Sequence, residues 1–380
     1  MKAIQSYGAS YEEACDFEIS GCYETRVKYK ETGAIVGWIN VLKPVLLVLH
    51  NGFDKQTEKQ IGVQTGELSA FASFADFYAA YCTQLRYLLD TQMEISNVLY
   101  DPVLAQINPS LMYSGTNLAS LQKGVDGYAY ANQYNNSVIE HCGLGSAVDA
   151  LMAVKEFVYD RKELSLEELR EILDANWTGK ELLRKQICNS PCKYGNHHPV
   201  ADQYAADIAA LFAGHITGKP NNRGGIYLAE LHSARQYIEH GYLTAATPDG
   251  RRDGEEISKN ASPAMGMDRC GITALMLSAL KLNPVLHAEG FCLDVMLHPT
   301  TVSGDEGLAV MQSLLDVYLN GGGMAIHFNV FQAETLRDAQ KNPEKYQNLQ
   351  VRVCGWNVLW NNLSKEEQEA YILRAENILV

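Results

Sequence analysis

The residues best equipped for chemistry lie near the two ends of this 380-residue chain. Ser20-Gly21-Cys22-Tyr23-Glu24 puts a thiol two positions before a carboxylate, and residues two apart in an extended loop point to the same side. Taken alone this pattern is weak, because most cysteines are buried packing residues. Towards the other end, Arg352-Val353-Cys354-Gly355-Trp356 closes the strand-like stretch Leu349–Val353. The plain reading of Gly355 there is a tight turn that needs positive φ. Cys188-x3-Cys192 with His197 and His198 has the residue types of a zinc site. The spacing fits no standard ligand set and the two histidines are adjacent, so no metal is expected. His50, His141, His287, His298 and His327 could each line a pocket, but no spacing selects one, and each reads as a structural histidine.

Helices dominate the elements that must position these residues. Ser10-x-x-Glu13, Ser165-x-x-Glu168 and Ser364-x-x-Glu367 are capping boxes, each followed by apolar residues at helical spacing. Further helices are predicted over 36–51, 74–90, 147–160, 200–213, 271–282 and 306–319, with Pro44 kinking the first and Gly52 closing it. Strands are predicted at Phe291–Leu297, at Met324–Val330, whose apolar residues alternate, and at Leu349–Val353. Glycine and proline punctuate loops at 220–225 and 247–254. No internal repeat or long linker appears, which points to one domain of α/β or α+β class.

Composition narrows the function classes. An apolar fraction of 47% with 20% charged residues is that of an ordinary globular enzyme. The net charge of −14, without any basic block, argues against a nucleic-acid backbone or an anionic membrane surface as partner. No apolar run is long enough to span a bilayer, and the first residues turn polar at once, so a cytoplasmic location is expected. Nine scattered cysteines, an odd number without an export signal, read as reduced thiols.

The wider C-terminal pattern is more specific. Arg352, Val353, Gly355 and Trp356, then Leu363, Ser364, Gln368, Ile372 and Arg374, resemble the glycyl radical signature of the pyruvate formate-lyase superfamily. Trp356 stands where tyrosine is commoner. The resemblance implies a radical stored on the Cα of Gly355. Such a radical is stabilised by delocalisation onto the flanking amides, which needs a planar carbon, and only glycine lacks the Cβ that would crowd it. It also implies that Gly21-Cys22-x-Glu24 is the family's cysteine loop (about 19–25), with Cys22 forming the thiyl that attacks substrate and Glu24 the general base. The S–H and glycyl Cα–H bonds are close in strength, so hydrogen transfer between them is nearly balanced. Further blocks run in family order: Asn135-Asn136 through Gly143-Leu144 to Asp149 and Lys155; Lys193-Tyr194-Gly195-Asn196; Thr247–Arg252; and Ser262–Ala274.

The resemblance extends to a single catalytic domain over 1–380, with a glycine radical segment from about 260 onwards. The fold implied is half of a ten-stranded α/β barrel wrapped by helices. Family members are about twice as long and this chain starts just before the cysteine loop. Either a second polypeptide supplies the N-terminal half or the sequence is part of a longer one. No bound cofactor is implied. The radical would be installed by a separate activating enzyme carrying S-adenosylmethionine and an iron–sulfur cluster, and a homodimer acting on a small molecule is expected. Formate C-acetyltransferases resemble a pattern with two adjacent cysteines, whereas Gly21 and Tyr23 flank Cys22 here. The match is instead to dehydratases, C–N and C–S lyases and decarboxylases. Acetyl transfer is one alternative, and a non-catalytic or truncated subunit is another.

Overall fold

The computed structural model covers residues 1–376, with residues 104 and 105 as backbone only, so the last four residues of the expected glycine radical segment lie outside it. At its centre are five parallel strands: β1 (Glu31–Asn40), β2 (Tyr134–Cys142), β3 (Tyr227–Leu231), β4 (Gly290–Leu297) and β5 (Ala325–Val330). They pair in chain order without reversal. Helices fill every crossover: α1 (Lys43–Leu49) and α2 (Phe74–Ile95), then α3 (Leu144–Ala153) and α4 (Pro199–Ile216), then α5 (Ile272–Leu280), then α6 (Gly304–Asn320). Crossovers between parallel strands are almost always right-handed, so an order that never reverses collects the helices on one face. The other face is left for the two short hairpins described below. The expected α/β fold is thus present, with five strands in sequential order.

Strands β2, β3 and β4 are buried along nearly their whole length, which explains their apolar, poorly alternating sequences. The same physics misleads the reading of residues 36–51. The stretch Gly33–Asn40 is strand, bulged between Ile35 and Gly37. Only Lys43–Leu49 is helical, with Pro44 in its first turn rather than at a kink. A continuous apolar run has no period from which to separate the two. Asn51 and Gly52 both have positive φ just past α1, and the Gly52 N–H donates to the Leu47 carbonyl, 2.7 Å away. All three predicted capping boxes form, and a fourth starts α2 at Ser73 and Asp76. Among the described residues no helix is long and apolar enough to cross a membrane.

The sequence blocks between the helices interlock. Asp149 on α3 accepts the Tyr194 N–H at 2.9 Å and sits 3.8 Å from Lys193 Nζ. Asn196 donates to the Met267 carbonyl and accepts from the Arg269 N–H. Burial lifts the Asp149 carboxyl to about 7, against the pull of Lys193 and the Tyr194 N–H. A carboxyl raised in the folded state stabilises fully below its ordinary value of 3.8, and that contribution is lost as pH climbs through about 7. Asp149→Asn should therefore flatten the fall in thermal midpoint across this window, measured as a pH series beside the unmodified protein.

Arg223 locks the loop before β3. It is fully buried, 3.1 Å from the equally buried Asp101, and donates to the Tyr128 carbonyl. Removing one member of a buried pair strands the other charge. Asp101→Ala is expected to cost about 3–5 kcal/mol, read from chemical denaturation midpoints.

Candidate active site

Cys22 occupies the tip of a hairpin. Phe17–Ser20 pairs antiparallel with Glu24–Val27, and Gly21 takes φ +60 at the turn. The Glu24 carboxylate folds back to accept the Tyr23 N–H at 2.9 Å. A Cβ on Gly21 would come 2.6 Å from that carboxylate, so glycine is needed for the close approach. The hairpin is moored to the sheet just ahead of β4: the Thr25 N–H and hydroxyl donate to the carbonyls of Glu289 and Ala288, and Arg26 pairs with Glu289 at 3.4 Å.

Gly355 occupies the tip of a second hairpin, Gln350–Val353 with Trp356–Leu359. Its two turn residues, Cys354 and Gly355, have φ of +40 and +105, the left-handed pair that a two-residue hairpin turn requires. This hairpin is anchored by groups from two elements. Asn329 on β5 both donates to and accepts from the Arg352 backbone. Tyr371, on the closing helix α7 (Lys365–Glu376), donates to the Arg352 carbonyl at 2.9 Å. From the same helix, Gln368 donates to the Trp360 carbonyl and Arg374 to the Asp294 carbonyl. The C-terminal signature residues thus hold the glycine turn in place.

The two tips touch. A methyl group built on Gly355 would overlap the Cys22 Cβ and lie 2.6 Å from its sulfur. The sulfur is therefore at most about 4.1 Å from the Gly355 Cα, adding one C–C bond length. Cys22 and Gly355 are separated by most of the chain in sequence, and the sheet brings them into van der Waals contact.

Around them lies a buried polar shell that sequence reasoning missed. Tyr23 packs edge-on against His232 and His327, with ring centroids at 4.6 and 5.3 Å. His232 Nε2 is 3.3 Å from the Cys354 carbonyl, and its Nδ1 is 3.3 Å from Glu140 and 3.5 Å from Glu230. Burial opposes charge on this ring, but the Cys22 thiol and the Glu140 and Glu230 carboxylates beside it prevail and push it up to about 12. On the neighbouring strands, Asp294 accepts from Asn260 at 2.6 Å and lies 3.3 Å from His327. Burial would raise Asp294, yet Lys259, His327 and Arg374 hold it well below the usual carboxylate range. Burial likewise lifts the Cys354 thiol to about 11. The available signal was a polar residue at even spacing in a buried strand: Glu230 and His232, then Asp294, then His327 and Asn329.

Of the five histidines weighed from sequence, only His327 lies at this site. His141 stacks on both His287 and Phe212, His50 pairs with Asp174, and His298 caps a short helix. Cys192 Sγ is 3.5 Å from His198 Nδ1, whereas Cys188 turns to the Asp249 carbonyl.

Residues 1–241 match the family model described as pyruvate formate lyase-like, and residues 257–361 match the one described as glycine radical. The chain belongs to the glycyl radical enzymes of the pyruvate formate-lyase superfamily. Among curated relatives it is 33% identical over 376 residues to a trans-4-hydroxy-L-proline dehydratase of Clostridioides difficile, covering 99% of this chain and 47% of that protein. It is 32% identical over 387 residues to an isethionate sulfite-lyase of Desulfovibrio desulfuricans, covering 98% and 45%. The crystal structure of the hydroxyproline dehydratase from Clostridioides difficile, with its substrate bound, superposes with a TM-score of 0.92 at 33% identity, covering 100% of this chain and 48% of that one. The B12-independent glycerol dehydratase of Clostridium butyricum gives 0.90 at 32%, covering 98% and 47%. The chain spans about half the length of the relatives it matches.

Proposed function

We propose that this chain carries the radical store and the attacking thiol of an anaerobic, cytoplasmic radical lyase. The observation that carries the reading is the contact between Cys22 and the side-chain-free Gly355. A separate activating enzyme, with S-adenosylmethionine and an iron–sulfur cluster, removes one hydrogen atom from the Gly355 Cα. The Cys22 S–H hydrogen moves to that carbon and leaves a thiyl. The thiyl abstracts hydrogen from substrate, Glu24 takes a proton from it, and the weakened bond to the leaving group breaks. Cys22 then returns its hydrogen to the product radical, so the thiyl is regenerated and no oxidant is consumed.

Elimination of a C–O, C–N or C–S bond, or decarboxylation, is favoured over acetyl transfer. Gly21 and Tyr23 flank Cys22, so no second thiol stands beside it to carry an acyl group. Glu24 is buried within the same turn, where an eliminating enzyme needs its base. The reading extends to a homodimer acting on a small molecule, with the rest of a full-length enzyme supplied by further polypeptide.

The test uses the protein in the assembly in which it is isolated. It is activated without air and then exposed briefly to oxygen, which attacks a backbone radical. Mass spectrometry should find the chain cut at Gly355, with residues 356–380 released. A chain that survives activation and air intact contradicts the reading.

A further inference from the structure

Two carboxylates face each other on the site side of the sheet. Glu140 on β2 and Glu230 on β3 are register partners, with Trp38 beyond the first and Gly290 beyond the second. Both are fully buried. Like charges directly opposite each other destabilise a sheet, and an unpaired carboxylate taken out of water is costly. Trp38 donates to Glu140 Oε2 at 2.7 Å, and His232 stands beside the same atom. Glu140 Oε1 and both oxygens of Glu230 have no hydrogen-bond partner.

Glu24 joins this group, with one carboxylate oxygen, one from Glu230 and a ring nitrogen of His232 within 4.8 Å of one another. When ionised, the carboxylates of Glu24, Glu140, Glu230 and Glu289 outnumber the two cations among them, His232 and Arg26. Room for Glu230 is built into the backbone, because a Cβ on Gly290 would lie 2.6 Å from its Oε1.

We propose that this acidic rung seats a positively charged group of the substrate, an ammonium close to the carbon that Cys22 attacks, so that the enzyme acts on an amino alcohol. The inference rests on the radical-lyase reading for calling the ligand a substrate, but not for its charge. An ammonium has three donors and no acceptor, which suits the three unpartnered oxygens of Glu140 and Glu230. A metal ion suits the set less well. His232 Nδ1 is turned to Glu140 and Glu230 and its Nε2 to the Cys354 carbonyl, so neither ring nitrogen is free to ligate. An anionic sulfonate such as isethionate would be repelled by the rung.

Proton linkage sharpens the test. Glu24 and Arg26 on the cysteine hairpin, Glu140, His232, and Glu289 ahead of β4 all face Glu230. Burial and the facing Glu140 carboxylate push Glu230 well above the usual carboxylate range, so it holds a proton until a cation arrives. Cation binding at neutral pH should then release a proton, and affinity should rise with pH.

The experiment is isothermal titration of the unactivated protein with 1-amino-2-propanol, 1,2-propanediol and isethionate, in two buffers of different ionisation heat. The amino alcohol is expected to bind at least tenfold tighter than the diol, with proton release, and isethionate weakest. Glu230→Gln should abolish the preference, and Glu140→Gln should weaken it, each variant first shown to keep its thermal midpoint within a few degrees. Equal affinity for the three probes, including none at all, overturns the proposal. So does a preference that survives Glu230→Gln, or saturable zinc binding that disappears in that variant. Because binding is read without any radical, this test and the oxygen-cleavage test fail independently.

Discussion

Cys22→Ser will give a protein that still accepts a radical on Gly355 but forms no product. The serine hydroxyl fits the same turn, and the activating enzyme attacks glycine, not the thiol. An O–H bond is much stronger than a glycyl Cα–H bond, so passing the radical to serine is steeply uphill. Each 1.4 kcal/mol costs a factor of about ten, and turnover should fall below detection. A second readout separates a broken relay from a distorted site. Thiol hydrogens exchange with water, so in deuterated water the unmodified protein should pass deuterium from Cys22 to Gly355, collapsing the spectral doublet to a singlet. In Cys22→Ser the doublet should persist. A singlet in the variant would mean that another group mediates the exchange.

Gly355→Ala is expected to abolish the radical itself. No doublet should appear after activation, no chain cleavage should follow exposure to air, and turnover should vanish. Two effects act together. The added methyl would overlap the Cys22 Cβ, and φ of +105 is a conformation that costs a non-glycine residue about 1–3 kcal/mol. The hairpin tip must shift to relieve both. The chemical effect is independent of that shift, because a Cβ prevents the flattening that spreads the unpaired electron over two amides. Thermal unfolding should show only the modest loss that strain predicts, with the sheet intact. A variant that unfolds outright would place the glycine in the folding core instead of the chemistry.

How much of the site is legible in the sequence depends on where side chains point. Cys22, Glu24 and Gly355 sit on turns, where local sequence dictates local shape, and glycine at a turn leaves a signature in any chain. The capping boxes at Ser10, Ser165 and Ser364 are legible for the same reason. Strand β2 is not. Tyr-Asn-Asn-Ser-Val-Ile-Glu-His-Cys is buried on both faces, so its polar residues answer to cross-strand partners that no local window contains. Asn136 bonds Glu31 on β1, and Glu140 meets Trp38.

The mark His232 leaves in the sequence is its even spacing from Glu230. His232 stands just past a five-residue apolar strand and gains its role only when β2 and the Gly355 hairpin close over it. His327 is indistinguishable by sequence from His141, which points to the opposite, helix-covered side and stacks on Phe212. The alternation of Met324–Val330 correctly marks a strand. Its weight lies on the other face from the one its apolar residues suggest: His327 and Asn329 are its buried residues, and they serve the site.

The most direct test of the central claim locates the unpaired electron. The protein is produced with glycine carrying carbon-13 at its α-position, activated without air, and examined by electron paramagnetic resonance. An electron resting on the Gly355 carbon will show the proton doublet split further by the labelled nucleus, and Gly355→Ala will show neither. A spectrum unchanged by the label would place the radical elsewhere and contradict the account.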